Sequence, residues 1–237
     1  SLDKKMLLAD YQQLMRRSEN WRHVINPKTG WADGRHQNRK WENNLDLVHR
    51  KSYITEGATC HYTWYVPQNV EGLFQVISNS GQNVVTRLDR MFDEGLYWHG
   101  NEPCHQIAYL YNKASAPWKT QQRIHHILNT EYNDTPGGLS GNDDAGQMSA
   151  WYMFSAIGFY PVCPATPYYY IGTPSLDKVT FNLENGRKFE IVAEGVDDEN
   201  FYIQQVDLNG KSGYFLSHDD LLKGGKLYFR MGNTPKY

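Results

Sequence analysis

The run Gly141-Asn142-Asp143-Asp144-Ala145-Gly146-Gln147-Met148-Ser149-Ala150-Trp151-Tyr152 sets two adjacent carboxylates on a glycine-bounded turn where an aromatic-rich periodicity begins. Thr135-Pro136-Gly137-Gly138 upstream disfavours regular structure, and the apolar spacing that follows predicts a helix over about 145–157. Asp143 and Asp144 are therefore expected in its first turn. There the unpaired N–H groups and the helix dipole favour an ionised carboxylate, a state suited to accepting a proton near neutral pH. The same physics also gives a plainer reading, in which Asn142 is an N-cap and the two aspartates complement the dipole.

A second concentration of donors is His99-Gly100-Asn101-Glu102-Pro103-Cys104-His105-Gln106, again at an expected helix start. A zinc site is poorly supported, because no second histidine follows at helical spacing. Hard oxygen donors suit calcium better, with Glu102 and Gln106 as candidate ligands or supporting groups. Glu56, in Tyr53-Ile54-Thr55-Glu56-Gly57, reads on its own as an acid in a first helical turn capped by Thr55. His125-His126 lies inside an expected helix, where adjacent side chains diverge, and is assigned no site role.

Apolar periodicity predicts helices over about 3–17, 57–65, 69–79, 82–93, 103–114, 117–131 and 145–157. Pro103 and Pro117 fall at favourable first-turn positions. Met6, Leu7, Tyr11, Leu14 and Met15 form one face of the first helix, expected to point to a core. The aperiodic stretch Asn26 to Ser52 is expected to be a functional loop. From Tyr168 the pattern changes to strands at about 168–171, 178–183, 188–193, 202–208 and 226–231, with hairpin signals at Asn185-Gly186 and Asn209-Gly210. All seven tryptophans lie between Trp21 and Trp151, and Pro161, Pro164 and Pro167 mark the change of composition. The expected fold is mainly α with a β tail, the tail a small antiparallel β-domain.

The 237 residues can bury a sizeable core, and 24 Lys+Arg against 26 Asp+Glu leave no basic surface for nucleic acid. No stretch approaches the roughly 18–20 consecutive apolar residues of a membrane span, and no signal-peptide plan is visible. Cys60, Cys104 and Cys163 are widely spaced and odd in number, so neither a disulfide framework nor a zinc site is indicated. Cysteine usage leaves the compartment open.

The chain resembles the calcium-dependent exo-acting α-mannosidases of glycoside hydrolase family 92. Tyr53-Ile54-Thr55-Glu56-Gly57, Tyr62-Thr63-Trp64-Tyr65-Val66-Pro67, His99-Gly100-Asn101-Glu102-Pro103, Ala116-Pro117-Trp118-Lys119-Thr120-Gln121, Ser155-Ala156-Ile157-Gly158-Phe159-Tyr160-Pro161-Val162 and Ile171-Gly172-Thr173-Pro174 occur in that family's order. The similarity runs from about Tyr11 to Gly232. It implies a longer parent with an N-terminal β-sandwich and an (α/α)6 barrel, of which residues 1–165 would be the C-terminal part of the barrel and 166–237 a small antiparallel β-sandwich domain. An open barrel would expose apolar faces, so the chain alone is expected to self-associate.

The resemblance also implies a chemistry. Terminal α-linked mannose would be removed from mannose-rich glycans, as in N-glycan degradation, by inverting single displacement. That reaction needs two carboxyl groups roughly 6.5–9.5 Å apart. Glu56 matches the family's general acid, which Tyr53, Tyr62 and Trp64 could enclose in an apolar wall that favours its protonated form. Asp144 is the candidate base, with Asn142 and Asp143 holding the water or orienting the sugar. Asn142 stands where many relatives carry an acid, which leaves Asp144 to act alone. One calcium ion would bind the 2- and 3-hydroxyls of the mannose. Asn101, Glu102, His61 and Trp64 are the remaining candidate sugar contacts, and Trp31, Trp41 and Trp98 could also stack on sugar rings. An α-1,2 linkage is the expected target, although members of that preference carry a His-Glu pair where this chain has Asn101-Glu102. Cys60 and His61 replace the aromatic and glutamine that relatives usually place there. The parent would be exported, to a bacterial periplasm or cell surface. Without the missing domain the chain could instead act only as a carbohydrate-binding or structural module. A polysaccharide lyase would need a Tyr/His/Arg constellation that cannot be assembled from these residues.

Overall fold

The computed structural model describes residues 2–42, 44–164, 166–210 and 213–237. Two compact units divide it, Ser1–Thr86 and Arg87–Tyr237. The first contains α1 (Leu2–Ser18), a two-residue antiparallel hairpin of β1 (Ile25–Asn26) and β2 (Trp31–Ala32), the short α2 (Thr59–Tyr62) and α3 (Val70–Asn79). The division falls within α4 (Val84–Asp93). The second unit continues with 3-10 segments Glu102–Cys104 and Ile107–Asn112, then α5 (Pro117–Thr130) and α6 (Gln147–Ile157). Its β-rich remainder holds β3 (Phe159–Tyr160), β4 (Tyr168–Ile171), β5 (Lys178–Asn182), β6 (Lys188–Glu194), β7 (Tyr202–Leu208), β8 (Phe215–Ser217), α7 (His218–Leu222) and β9 (Gly225–Gly232).

Local chemistry accounts for the helix limits. Asn69 caps α3 by accepting the Gly72 N–H, and Val70, Leu73 and Ile77 turn one face of that helix inward. Pro117 opens α5, and α6 ends at Gly158, whose φ of 105° suits glycine and lets its N–H reach the Phe154 and Ser155 carbonyls. Thr63 joins α2 to the hairpin, its hydroxyl oxygen accepting the Ala32 N–H at 2.9 Å while its proton goes to the Thr59 carbonyl.

The β-rich remainder has two sheets, a three-stranded one ordered β3-β4-β8 and a four-stranded one ordered β5-β6-β9-β7. Phe159, Ile171 and Leu216 of the first share one apolar core with Phe189, Ile191, Ile203, Leu227 and Phe229 of the second. The expected antiparallel domain needs correction, because β6 and β9 run parallel and the larger sheet is mixed. Asn185-Gly186 does close a hairpin, between β5 and β6. Asn209-Gly210 does not: the chain leaves the sheet after β7, forms β8 and α7, and returns as β9 to pair with β7. A turn signal fixes the bend but not the partner of the next strand. Helical and β-rich parts are joined by the Gln121 amide oxygen accepting the Ile203 N–H at 2.9 Å and by Asn112 donating to the Ile171 carbonyl at 2.7 Å.

Two helix expectations also change. The 103–114 stretch is two 3-10 segments, pinned by burial of Ile107 to Tyr111 and by side-chain bonds such as Tyr109 to Ser155 at 2.8 Å. The stripe of α1 does not face a core: Met6, Leu7, Leu8, Tyr11, Leu14 and Met15 are each more than half exposed. Helical spacing forms the stripe but cannot supply a surface to cover it. No helix among the described residues is long and apolar enough to cross a membrane, and all three cysteines are free and buried. At micromolar concentration the isolated chain should sediment faster than a monomer, and a Leu7→Glu/Leu14→Glu variant should restore monomer behaviour. A monodisperse unmodified monomer would contradict this.

Candidate active site

Residues 143 to 149 do not form the helix start that the sequence suggests. Asp144, Ala145 and Gly146 are consecutively left-handed, at φ 45°, 58° and 90°, and α6 begins only at Gln147. Asp143 and Asp144 thus precede the helix, and Asn142 is not its N-cap. The Asp143 carboxylate folds back instead, with one oxygen accepting both the N–H and the hydroxyl of Ser149 at 3.0 Å. Its carbonyl takes the Met148 N–H at 3.2 Å. It therefore does the capping for α6, where the N-cap Gly146 has no side chain to offer. Asp144 is left exposed, and its carboxylate accepts no hydrogen bond among the described residues. A left-handed non-glycine residue costs roughly 1–2 kcal/mol, so this loop spends stability to present that group.

The His99-Gly100-Asn101-Glu102 loop lies directly against this one. A Cβ on Gly100 would sit 2.5 Å from the Ser140 carbonyl oxygen, and one on Gly141 would sit 2.3 Å from the Gly100 oxygen. Only two glycines let the backbones approach so closely. Asn101, Glu102, Asn142, Asp143 and Asp144, all singled out from sequence, are thereby gathered at one place in the second unit. Asn101 and Gln106 are buried and Glu102 is half-buried.

Behind the two loops is a buried aromatic and imidazole network that sequence spacing did not reveal. His99 Nδ1 meets the Tyr97 hydroxyl at 2.7 Å, and Nε2 meets the Tyr132 hydroxyl at 2.6 Å. Tyr132 also donates to the Met148 carbonyl at 3.1 Å. That carbonyl can only accept, so the Tyr132 proton goes to it and His99 Nε2–H donates to the tyrosine oxygen; Nδ1 then accepts from Tyr97. His105 Nε2 donates to the His99 carbonyl at 3.0 Å, which leaves Nδ1 to accept from the Gln147 amide at 3.4 Å. Trp151 stacks on Tyr132 at 5.9 Å, meets His99 edge-on at 4.3 Å, and donates to the His105 carbonyl at 2.9 Å. Tyr132 lies 33 positions from His99 in an irregular segment. Its role had no periodicity to announce it.

Glu56 belongs to the first unit. It is exposed and left-handed, at φ 62°, in the turn before α2 rather than in a helical first turn. Tyr62 holds this turn by donating its hydroxyl proton to the Thr55 carbonyl, and His61 Nδ1 accepts the Ala58 N–H at 3.0 Å. The expected apolar wall is corrected by the exposure of Glu56 itself, with Trp64 fully buried and Tyr53 46% exposed. Trp64 and Trp31, buried to 0% and 4% exposure, offer no open face for a sugar, whereas Trp98 at 41% does.

Glu102 and Gln106 carry oxygen donors of the type calcium accepts, but calcium takes roughly six to eight. Among the described residues no group of three or more His, Cys, Asp or Glu could hold a metal ion.

Burial depresses His99 to about 2, with His105 adding repulsion, and burial depresses His105 to about 4. Both imidazoles are neutral in the fold, whereas a free histidine titrates near 6.5. Their contribution to stability is complete above about pH 6.5 and falls as the pH drops below it, because the unfolded chain then binds protons that the folded chain refuses. The slope approaches about 1.4 kcal/mol per pH unit for each imidazole. Denaturant unfolding at pH 7, 6 and 5 should show this loss, and His99→Gln should remove one proton from the slope. An unchanged slope in that variant would contradict the assignment.

Residues 2–233 match the Glycosyl hydrolase family 92 catalytic domain. A family GH92 alpha-mannosidase from Bacteroides thetaiotaomicron superposes with a TM-score of 0.90 at 41% identity, over 99% of this chain and 32% of that one. The same enzyme in complex with mannoimidazole superposes with a TM-score of 0.91. A family GH92 inverting mannosidase from the same organism gives 0.86 at 33% identity, over 94% of this chain and 34% of its own. A protein of Arthroderma benhamiae described as an uncharacterized secreted glycosidase is 27% identical, over 96% of this chain and 33% of its own length. The chain thus spans about a third of these relatives. With a family match over residues 2–233 and 41% identity to a solved member across 99% of its length, the chain belongs to glycoside hydrolase family 92.

Proposed function

We propose that this chain carries the catalytic carboxylates of an exported, inverting exo-α-mannosidase acting on mannose-rich glycans. One observation carries the assignment of residues within the family. Glu56 and Asp144 are both exposed carboxylates held at left-handed, non-glycine positions, the kind of backbone cost that persists where a side chain must be presented. Asp143 is a weaker candidate for the base because its carboxylate is engaged by Ser149.

In this reading Glu56, protonated, gives its proton to the glycosidic oxygen as the bond to the anomeric carbon breaks. Asp144 takes a proton from a water that attacks the opposite face, and β-mannose leaves in one step. Asn142, Asn101, Glu102 and His61 would contact the sugar. Closure of the remaining enzyme around Glu56 would supply the desolvation that its exposed position in this chain lacks. A calcium ion would count Glu102 and Gln106 among its ligands or their supports, and when bound would hold the 2- and 3-hydroxyls and favour ring distortion. An α-1,2 linkage remains the proposed preference. Residues 1–165 would form the C-terminal part of an (α/α)6 barrel and 166–237 a β-sandwich-like domain, with the rest of the barrel contributed by sequence of the kind its relatives carry. Export is supported by the Arthroderma benhamiae relative being described as secreted.

The test is mannose release from α-linked mannobioses by the chain together with whatever sequence accompanies it in the natural protein, with calcium and with chelator. Glu56→Gln and Asp144→Asn should each lower kcat by about 10²–10⁴-fold, whereas Asp143→Asn should chiefly lower stability. Full activity in either of the first two variants would remove that residue from its role, and activity in chelator would remove calcium.

A further inference from the structure

Asn101 and Glu102 sit on one loop and Asp143 and Asp144 on another, and the reading above needs both at fixed spacing on one sugar. Backbone contact at Gly100 and Gly141 brings the loops together. A second tie between them comes from behind.

We propose that Tyr132 is the positioning residue that locks the two loops. Its hydroxyl oxygen receives the proton of His99, two residues before Asn101, and its own proton goes to the carbonyl of Met148. The N–H of Met148 in turn donates to the carbonyl of Asp143. One hydroxyl thus links the sugar-contact loop to the base loop through two part-buried bonds. It can make both only with His99 protonated on Nε2, the tautomer that Tyr97 selects by donating to Nδ1. The ring itself is fixed against Trp151, at an interplanar angle of 4°, so the hydroxyl has little freedom to search for other partners. Burial favours the neutral form of His99, the form in which Nδ1 can accept from Tyr97.

This inference rests on the mannosidase reading, and Tyr132→Phe tests it because the variant keeps the stacked ring and deletes only the hydroxyl. In the complete natural protein, kcat should fall about 10- to 100-fold with KM for a mannobioside changed less. Amide hydrogen exchange should quicken together at Asn101–Glu102 and Met148–Ser149, and the His99 ring nitrogens should lose their single-tautomer NMR signature. Phe189→Leu, at a residue buried in the apolar core between the two sheets, serves as the control for a general loss of stability, lowering Tm without releasing both loops in concert. Unchanged kcat and unchanged exchange in Tyr132→Phe would overturn the proposal. If Asp144→Asn proves harmless, the assignment of Asp144 as base fails instead, and concerted release of the two loops in Tyr132→Phe still decides the lock. Exchange that quickens at one loop only would show separate supports and would also overturn it.

Discussion

The approach of two backbones at Gly100 and Gly141 is the constraint on which the site in the second unit depends. Each glycine has the other loop's carbonyl where a Cβ would stand, at 2.5 and 2.3 Å. Any side chain at either position would push the loops apart by more than the tolerance of a catalytic geometry, since a displacement of about 1 Å can cost a factor of about 100 in rate. The aromatic network behind converts that proximity into register. His99, His105 and Trp151 are buried and Tyr132 half-buried, all held by hydrogen bonds, and a buried donor left unsatisfied would cost roughly 1–3 kcal/mol.

Adjacent aspartates illustrate how local hydrogen bonding divides labour between identical groups. Asp143 is spent on the helix: its carboxylate satisfies Ser149 and its carbonyl satisfies Met148. That engagement bends the chain so sharply that the next three residues must be left-handed, and only the third is glycine. Asp144 is carried outward by the bend. The strain at Asp144 and Ala145 and the stability gained by capping α6 are therefore parts of one arrangement, and replacing either aspartate acts on both.

Much of the fold was legible in the sequence because it follows from nearest-neighbour chemistry. Pro117, the Asn69 cap and the Gly158 terminus mark helix ends that periodicity had already bracketed, and Asn185-Gly186 announces its hairpin. The parts that were not legible depend on distant partners. Residues 102 to 112 have helical spacing yet stay in 3-10 form, because burial and long-range bonds override a weak local preference. The parallel pairing of β6 with β9 joins strands separated by β7, β8 and α7, which no turn signal encodes. At the site, the contact at Gly100 and Gly141 brings two loops together, and their Asn101-Glu102 and Asp143-Asp144 could be singled out as candidates from type and resemblance. The folding back of Asp143, the burial of Trp64 and the bond from Tyr132 to His99 could not, since each depends on where a loop lies in space.

The stereochemistry of the first product tests the chemistry assigned to Glu56 and Asp144 most directly. Proton NMR of an α-linked mannobioside during early turnover by the complete natural protein follows the anomeric signals before mutarotation mixes them. Direct attack by a water activated at Asp144 requires β-mannose to appear first. Initial α-mannose would mean a covalent intermediate and two displacements, and would contradict the roles given to both carboxylates.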